Sequence, residues 1–164
     1  METERKDTVF RNIKGSPEAI YQAIVDPKAL ATWLPPGNMQ ARIDTFEPWK
    51  GGAYRIVLTY NNDADKAAFA KSGEGTDIAQ GHFLELVPGK KVSQSVEFTS
   101  DNPQFAGTMR MTYELLPVEA GTRVTITAEN VPRGITPEDH EQGMNSSLEN
   151  LDAYIGQLTG NIRL

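Results

Sequence analysis

The stretch TPEDHEQGMNSSLENLDAYIGQL, residues 136–158, has the pattern of one long amphipathic helix. Thr136 and Pro137 followed by two acids form a helix start, because threonine can cap a free backbone amide and proline suits the first turn. Apolar residues then recur at spacings of three and four, at Met144, Leu148, Leu151, Ile155 and Leu158. These residues share one helix face, which must pack against another layer of the protein.

Working back from this helix, the chain consists mainly of predicted strands. Six segments rich in β-branched and aromatic residues are separated by turn sequences. They are Met39–Phe46, Tyr54–Tyr60, Gly81–Val87, Val92–Thr99, Thr108–Leu116 and Thr122–Glu129.

The N-terminal part of the chain predicts one more strand, Lys6–Ile13, and two short helices. Ser16, Pro17 and Glu18 start the first helix, and Asp26-Pro27 ends it. Lys28–Leu34 predicts the second helix, which the following Pro35-Pro36-Gly37 terminates. The order of elements is typical of a single α+β domain spanning residues 1–164, with an antiparallel sheet and a long C-terminal helix.

The strands alternate in a way that predicts one dry face and one wet face. In Thr108–Leu116 the odd positions, from Met109 to Leu115, are apolar, and the even positions are mostly polar. The final helix is the element long enough to cover the dry face. Because a sheet of six or seven twisted strands curls, one helix can leave a gap over part of it, and this gap is the candidate site.

Composition excludes several classes of function. Sixteen Lys and Arg against twenty-two Asp and Glu give a net charge of −6, which disfavours nucleic acid and anionic membranes as partners. The absence of cysteine excludes disulfides and thiolate chemistry. The charged N-terminus lacks the apolar stretch of a signal peptide, and no segment is apolar enough to insert into a membrane, so we expect a cytoplasmic protein.

Residue patterns for catalysis are sparse. The two histidines, His82 and His140, lie on different elements, and no spacing indicates a catalytic triad, a metal site or a cofactor loop. His140 lies among acids that complement a helix dipole. The alternation around His82 does not decide which face of the strand carries this side chain. An inward His82 could orient a ligand or transfer a proton. In the alternative interpretation, His82 is hydrogen-bonded to a neighbouring strand. We therefore expect no metal and no cofactor.

Several local strings resemble a known family. SPEAIYQAIVDPKALATWLPP (residues 16–36), PWKGGAYR (48–55), GHFLELVPGKKV (81–92) and the final helix resemble the START-like or SRPBCC superfamily. The most similar branch is that of the homologues of the C-terminal domain of the heat-shock protein 90 ATPase activator. The resemblance implies the helix-grip fold, in which a curved antiparallel sheet wraps a long C-terminal helix and often encloses an apolar cavity. Gly143-Met144 stands where many members have Gly-Trp, and the connection 61–79 is long, so ligand identity does not transfer.

The predicted ligand-binding residues come from the dry face, the final helix and the two tryptophans. They are Trp33, Trp49, Tyr54, Ile56, Leu58, His82, Phe98, Met109, Met111, Tyr113, Met144 and Leu148. The methionines either fill the core or line an adaptable cavity. Trp49 is either a plug sealing the rim of the sheet or, with Trp33, a wall at the cavity mouth whose indole N–H orients a ligand. Either interpretation makes Trp33 half-buried, and the connection 61–79 is predicted to be a mobile lid.

Three classes of function remain at this stage. The leading hypothesis is a non-enzymatic module that binds a small hydrophobic or aromatic molecule, lipids included, between the sheet and the C-terminal helix. The family resemblance implies a second, a chaperone-linked protein interaction module. The superfamily also contains enzymes of the cyclase or dehydratase kind, and a role of His82 in turnover would favour that third class. The sequence sets neither the ligand nor the oligomeric state.

Overall fold

The computed structural model describes residues 5–35, 39–62 and 76–162, with side chains to residue 158. Three α-helices lie in the described part of the chain: α1 (Pro17–Val25), α2 (Pro27–Trp33) and α3 (Pro137–Ile162). The strands are β1 (Lys6–Ile13), β2 (Met39–Phe46), β3 (Ala53–Tyr60), β4 (Thr76–Val87), β5 (Lys91–Phe98), β6 (Met109–Val118) and β7 (Gly121–Glu129). The prediction of an α+β helix-grip fold is confirmed.

The strands form one antiparallel seven-stranded sheet in the order β1-β7-β6-β5-β4-β3-β2. Every predicted strand is present, but β4 begins at Thr76 rather than at Gly81. The start at Thr76 was not predicted because Asp77 carries a carboxylate, which is unusual on the buried face of a strand. The Tyr60 hydroxyl donates a hydrogen bond of 3.2 Å to Asp77 and helps to stabilise it there. Residues 63–75, the rest of the predicted lid, lie outside the described residues.

The two short helices begin as the sequence predicts. The Ser16 hydroxyl accepts a hydrogen bond of 3.1 Å from the Ala19 amide and caps α1. Asp26 ends α1 and caps α2, its carboxylate accepting a hydrogen bond of 3.0 Å from the Lys28 amide. A single acid between two helices therefore produces the sharp change of direction that brings α2 onto β2 and α3.

Helix α3 begins with its predicted cap, since Thr136 Oγ1 accepts a hydrogen bond from the Asp139 amide. Its backbone approaches β1 most closely. Arg11 of β1 pairs with Asp152 of α3 at 2.8 Å. The predicted apolar face is buried at Met144, Leu148, Leu151 and Ile155, whereas Leu158 is 40% exposed near the end.

The two glycines after Trp49 shape the turn between β2 and β3. A Cβ on Gly52 would lie 2.0 Å from the carbonyl oxygen of Glu47, so only glycine fits there. The turn is joined to β4 by backbone hydrogen bonds between Gly51, Gly52 and Phe83. The Trp49 side chain remains 58% exposed on this turn, so the interpretation of Trp49 as a sealing plug is wrong.

None of the described helices combines the length and the apolar character needed to cross a membrane.

Candidate functional site on the inner face of the sheet

The strand register defines an inner face of the sheet on the side of α3. Ile43 of β2 pairs with Ile56 of β3, Ile56 pairs with Ala79 of β4, and Ala79 pairs with Phe98 of β5. Residues directly opposite one another in an antiparallel sheet point to the same side. These four side chains therefore form one apolar row across four strands.

Burial along the inner face is uneven. Several inward residues are almost completely enclosed, with Tyr113 at 3%, Ile126 at 1% and Val124 at 0% exposure. On β3 and β4, buried inward residues such as Ile56 (5%) and Phe83 (1%) lie beside others that pack against the same core but are only partly buried. We call this partly open surface the inner cleft; it comprises Ile43, Leu58, Ala79, Phe98 and Met111.

Most of the predicted site residues belong to this inner face or to the helix surface opposite it. One apolar cluster contains Tyr54, Ile56, Leu58, Phe98, Met109, Met111, Tyr113, Met144 and Leu148. The odd positions of β6 are thus inward, as their alternation predicts. Contact of these residues with a ligand stays a prediction.

Trp33 does not occupy the position expected from the sequence. Its side chain is 0% exposed, and its indole N–H donates a hydrogen bond of 2.9 Å to the Ala23 carbonyl of α1. Its ring meets that of Tyr113 edge-on, with centroids 6.3 Å apart. The expectation of a half-buried Trp33 with a free N–H is therefore wrong, because this ring locks α1 and α2 onto the sheet.

The turn that carries Trp49 lies at the opposite end of β3 and β4 from Leu58 and Ala79 of the inner cleft. Near its turn the inner face is closed by a cluster of rings, in which Phe83 packs against Phe46 at 5.4 Å and Tyr54 at 5.6 Å between centroids. Burial, with smaller effects of Tyr113 and Glu97, raises the pKa of Tyr54. The partly exposed residues Leu58 and Ala79 lie toward the other ends of β3 and β4.

His82 faces the outer surface of the sheet. Phe83, its neighbour, is 1% exposed and takes the inward position. The register of β4 against β5 shifts between Phe83 and Glu85, so the alternation with Leu84 and Leu86 does not continue through this strand. His82 therefore lines a shallow groove of about 240 Å³ on the outer face and not the inner cleft.

The floor of that outer groove is built around Gly81. A Cβ at Gly81 would lie 2.0 Å from the Ser95 carbonyl oxygen, so β4 and β5 approach closely only because this residue is glycine. The hydroxyl of Tyr54 donates a hydrogen bond to the same carbonyl.

A polar cluster that the sequence did not reveal joins β1 to the first turn of α3. Asp7, 6% exposed, accepts two hydrogen bonds from Arg5 and lies 2.8 Å from His140 Nδ1. Burial raises the pKa of Asp7, but the hydrogen bonds and charges of Arg5 and His140 outweigh this and hold it below its usual value. Asp7 lies two positions from Val9 on β1, and this spacing is the sequence signal that could have placed the Asp7 side chain inward.

The described residues contain no group of three His, Asp or Glu side chains placed to hold a metal ion. Polar groups among the described inward residues of β2 to β6 are instead hydroxyls, one carboxylate and one amide. The carboxylate is Asp77, and the amide is that of Gln94 on β5, a residue that the sequence analysis did not single out. Its even position, between Val92 and Val96, was the signal for an inward side chain.

Comparisons with known proteins agree with this architecture. A protein of known structure from Chromobacterium violaceum is 29% identical, with a TM-score of 0.80, and the alignment covers 93% of this chain and 98% of that one. A protein from Rhodobacter sphaeroides is 23% identical, with a TM-score of 0.77 and coverage of 96% and 95%. An AHSA1-like protein from Aeromonas hydrophila is 17% identical, with a TM-score of 0.71 and coverage of 94% of each chain. At these two lower identities the likeness shows the fold alone.

A search among curated proteins gave no match. The family model described as "Activator of Hsp90 ATPase homolog 1-like protein" matches residues 14–156. The match begins just after β1, includes the inner cleft and ends within α3. The chain therefore belongs to the family of Activator of Hsp90 ATPase homolog 1-like proteins.

Proposed function

We propose that this protein binds a small hydrophobic or aromatic molecule in the inner cleft, between the sheet and α3. The observation that carries the proposal is a set of inward apolar side chains that are only partly buried. Apolar side chains under the helix are enclosed, whereas Leu58, Phe98 and Met111 keep part of their surface open. Covering such surface with an apolar ligand is favourable at about 25 cal/mol per Å².

The side chains around the inner cleft suit a ligand of irregular shape. Met111 is partly buried, and Met109 and Met144 belong to the same apolar cluster. Thioether side chains adapt to a bound shape at little cost, and they make favourable contacts with aromatic rings. Phe98 adds an aromatic surface on the neighbouring strand. This combination supports an aromatic or alicyclic ligand body.

The placement of His82 bears on the cyclase or dehydratase hypothesis. That hypothesis used His82 as an acid or base in the cavity, and the side chain faces the outer groove. The proposed ligand therefore meets no histidine among the described residues of the inner cleft. Binding without turnover is the function that this arrangement supports.

The proposal is tested by filling the inner cleft. Ala79 is partly exposed in the middle of the apolar row, so Ala79→Leu places a larger apolar group where a ligand would lie. Gln80→Leu is the matched control, since Gln80 is exposed on the outer face of the same strand. We expect naphthalene to bind the unmodified protein and the control, and Ala79→Leu to weaken binding roughly tenfold or more.

Binding is measured by chemical-shift titration with naphthalene, and thermal denaturation confirms that each variant is folded. Native mass spectrometry of freshly purified protein adds a search for a copurified small molecule. Equal affinity of Ala79→Leu and Gln80→Leu for naphthalene would place the ligand outside the inner cleft. Absence of binding to the unmodified protein by naphthalene and by its hydroxyl and carboxylate derivatives, 2-naphthol and 2-naphthoate, would contradict the proposal itself.

A second candidate, a chaperone-linked interaction module, is supported by the family's name and by one outer surface. Phe10 and Leu116 are 60% and 56% exposed on the outer side of β1 and β6. Arg123 of β7 lies between these strands, with its guanidinium 5.2 Å from the centre of the Phe10 ring. Exposed apolar residues beside an arginine are typical of protein contact sites.

A further inference from the structure

Gln94 is a buried polar residue in the middle of the inner face. It is 8% exposed and pairs with the inward residues Phe83 on β4 and Met111 on β6. Its amide offers two donors and one acceptor. The structure shows no hydrogen bond from this amide to any described residue, although leaving a buried amide without a partner normally costs free energy.

The Gln94 amide reaches open space. In the described part of the chain, every fully enclosed side-chain nitrogen or oxygen has a hydrogen-bond partner. An amide without one is therefore not fully enclosed. Because its side chain points inward, in the row of Phe83 and Met111, the open space that it reaches adjoins the Met111 side of the inner cleft.

Tyr113 on β6 presents a second polar group beside Gln94. Gln94 pairs with Met111 and Val92 pairs with Tyr113, so Gln94 and Tyr113 are diagonal neighbours on the same face. Diagonal neighbours lie about 7–8 Å apart, within reach of a single ligand group. The Tyr113 hydroxyl also makes no hydrogen bond to a described residue, although burial raises its pKa and keeps it protonated.

The charges of the inner face limit the ligand. Among the described inward-facing residues of β2 to β6 there is one carboxylate, Asp77, and no Lys, Arg or His. A buried ligand carboxylate would have no cation to pair with there, and removing an unpaired charge from water is expensive. Hydrogen-bonding groups without charge carry a far smaller penalty, and Gln94 can both donate to them and accept from them.

We propose that Gln94 and Tyr113 form a polar recognition point for an uncharged ligand, one with an apolar ring body and a hydroxyl, carbonyl or amide group. This inference rests on the proposed function, because it assigns the ligand class of the inner cleft. Gln94 sets the orientation of the ligand through its amide, Tyr113 contributes its hydroxyl, and Met111 with the neighbouring apolar side chains of the inner cleft holds the ring body. Carboxylate amphiphiles such as fatty acids are disfavoured.

Three probes with one ring system separate these contributions. Naphthalene carries no polar group, 2-naphthol adds a hydroxyl and 2-naphthoate adds a carboxylate. We expect 2-naphthol to bind about five- to tenfold more tightly than naphthalene, because one or two hydrogen bonds are gained. We expect 2-naphthoate to bind at least about tenfold more weakly than 2-naphthol.

Gln94→Leu removes the amide and keeps a similar volume. In this variant we expect 2-naphthol to lose its advantage while the affinity for naphthalene is kept. Gln80→Leu, the same chemical change on the outer face, should leave all three affinities unchanged. Tyr113→Phe removes one hydroxyl only and should lower the preference for 2-naphthol in part, so it tests the inference even where Gln94→Leu does not fold.

The outcomes separate the two proposals. Naphthalene binding with no preference for 2-naphthol, or a preference that survives both Gln94→Leu and Tyr113→Phe, overturns the recognition point and leaves ligand binding intact. Tighter binding of 2-naphthoate than of 2-naphthol overturns the exclusion of anionic ligands. Failure of all three probes to bind overturns the proposed function and this inference with it.

Discussion

The replacement Leu151→Ala tests the layer between α3 and the sheet. Leu151 is 0% exposed and belongs to the apolar cluster, with Leu148 and Ile155 beside it on the same helix face. Leucine-to-alanine changes at rigid, fully buried sites cost the transfer free energy of the lost carbons plus the cost of a cavity. At this site we expect a loss of about 3–4 kcal/mol in the free energy of unfolding.

Helix α3 supplies its own control. Leu158, seven residues later, is 40% exposed, so Leu158→Ala makes the same chemical change where little burial is lost. Urea titration should give a loss of about 0.5 kcal/mol or less for Leu158→Ala. The slope of unfolding free energy against urea should be the same for both variants, because the surface exposed on unfolding hardly changes.

Thermal denaturation gives an independent estimate. For a domain of this size, 1 kcal/mol corresponds to about 2–4 °C in melting temperature, so Leu151→Ala should lower it by about 6–16 °C. A loss below about 0.5 kcal/mol for Leu151→Ala, or equal losses for the two leucines, would refute the placement of this helix face in the core.

Two remaining predictions concern the polar cluster at β1 and the outer surface. Asp7→Asn should cost about 3 kcal/mol near neutral pH, because Arg5 and the neighbouring histidine lose a buried charged partner. The pKa of Asp7 is lowered in the folded state, so its contribution is present above about pH 4 and is lost as pH falls through the folded value. Denaturation at a series of pH values should show that the difference in free energy of unfolding between the unmodified protein and Asp7→Asn becomes smaller in acid. A difference that stays constant with pH would contradict this role of Asp7. If the chaperone candidate is correct, the unmodified protein should stimulate the ATPase activity of purified heat-shock protein 90. Phe10→Ser combined with Leu116→Ser should abolish this stimulation, whereas Trp49→Ser should not. Absence of stimulation by the unmodified protein would exclude the chaperone candidate.

Local patterns predicted the frame of this fold because each depends on neighbours in sequence. The caps at Ser16 and Asp26 form within three residues, and the helix face from Met144 to Ile155 follows from the period of the helix alone. Alternation on β6 likewise placed Met109 inward. In each case the signal is repeated over several residues, so one exception does not change the prediction.

The errors arose where a contact distant in sequence decides the outcome. The hydrogen bond from Trp33 to the Ala23 carbonyl depends on how α1 meets α2, which no periodicity reports. His82 was ambiguous because Gly81 and a register shift interrupt the alternation of β4. The contact of 2.8 Å between Asp7 and His140 Nδ1 joins residues 133 positions apart. Periodicity along the chain does not report such contacts, so these side chains were harder to predict than the fold.

The inner face contains both fully buried and partly open apolar side chains, and this difference links stability to binding. Fully buried residues such as Leu151, Ile126 and Val92 supply apolar burial that stabilises the domain. Leu58 and Phe98 are only partly buried, so they supply less of it. Changes at fully buried positions, such as Leu151→Ala, should act on the free energy of unfolding. Changes at Ala79 and Gln94 should act on ligand affinity, because the surface that they alter is completed by the ligand and not by the protein.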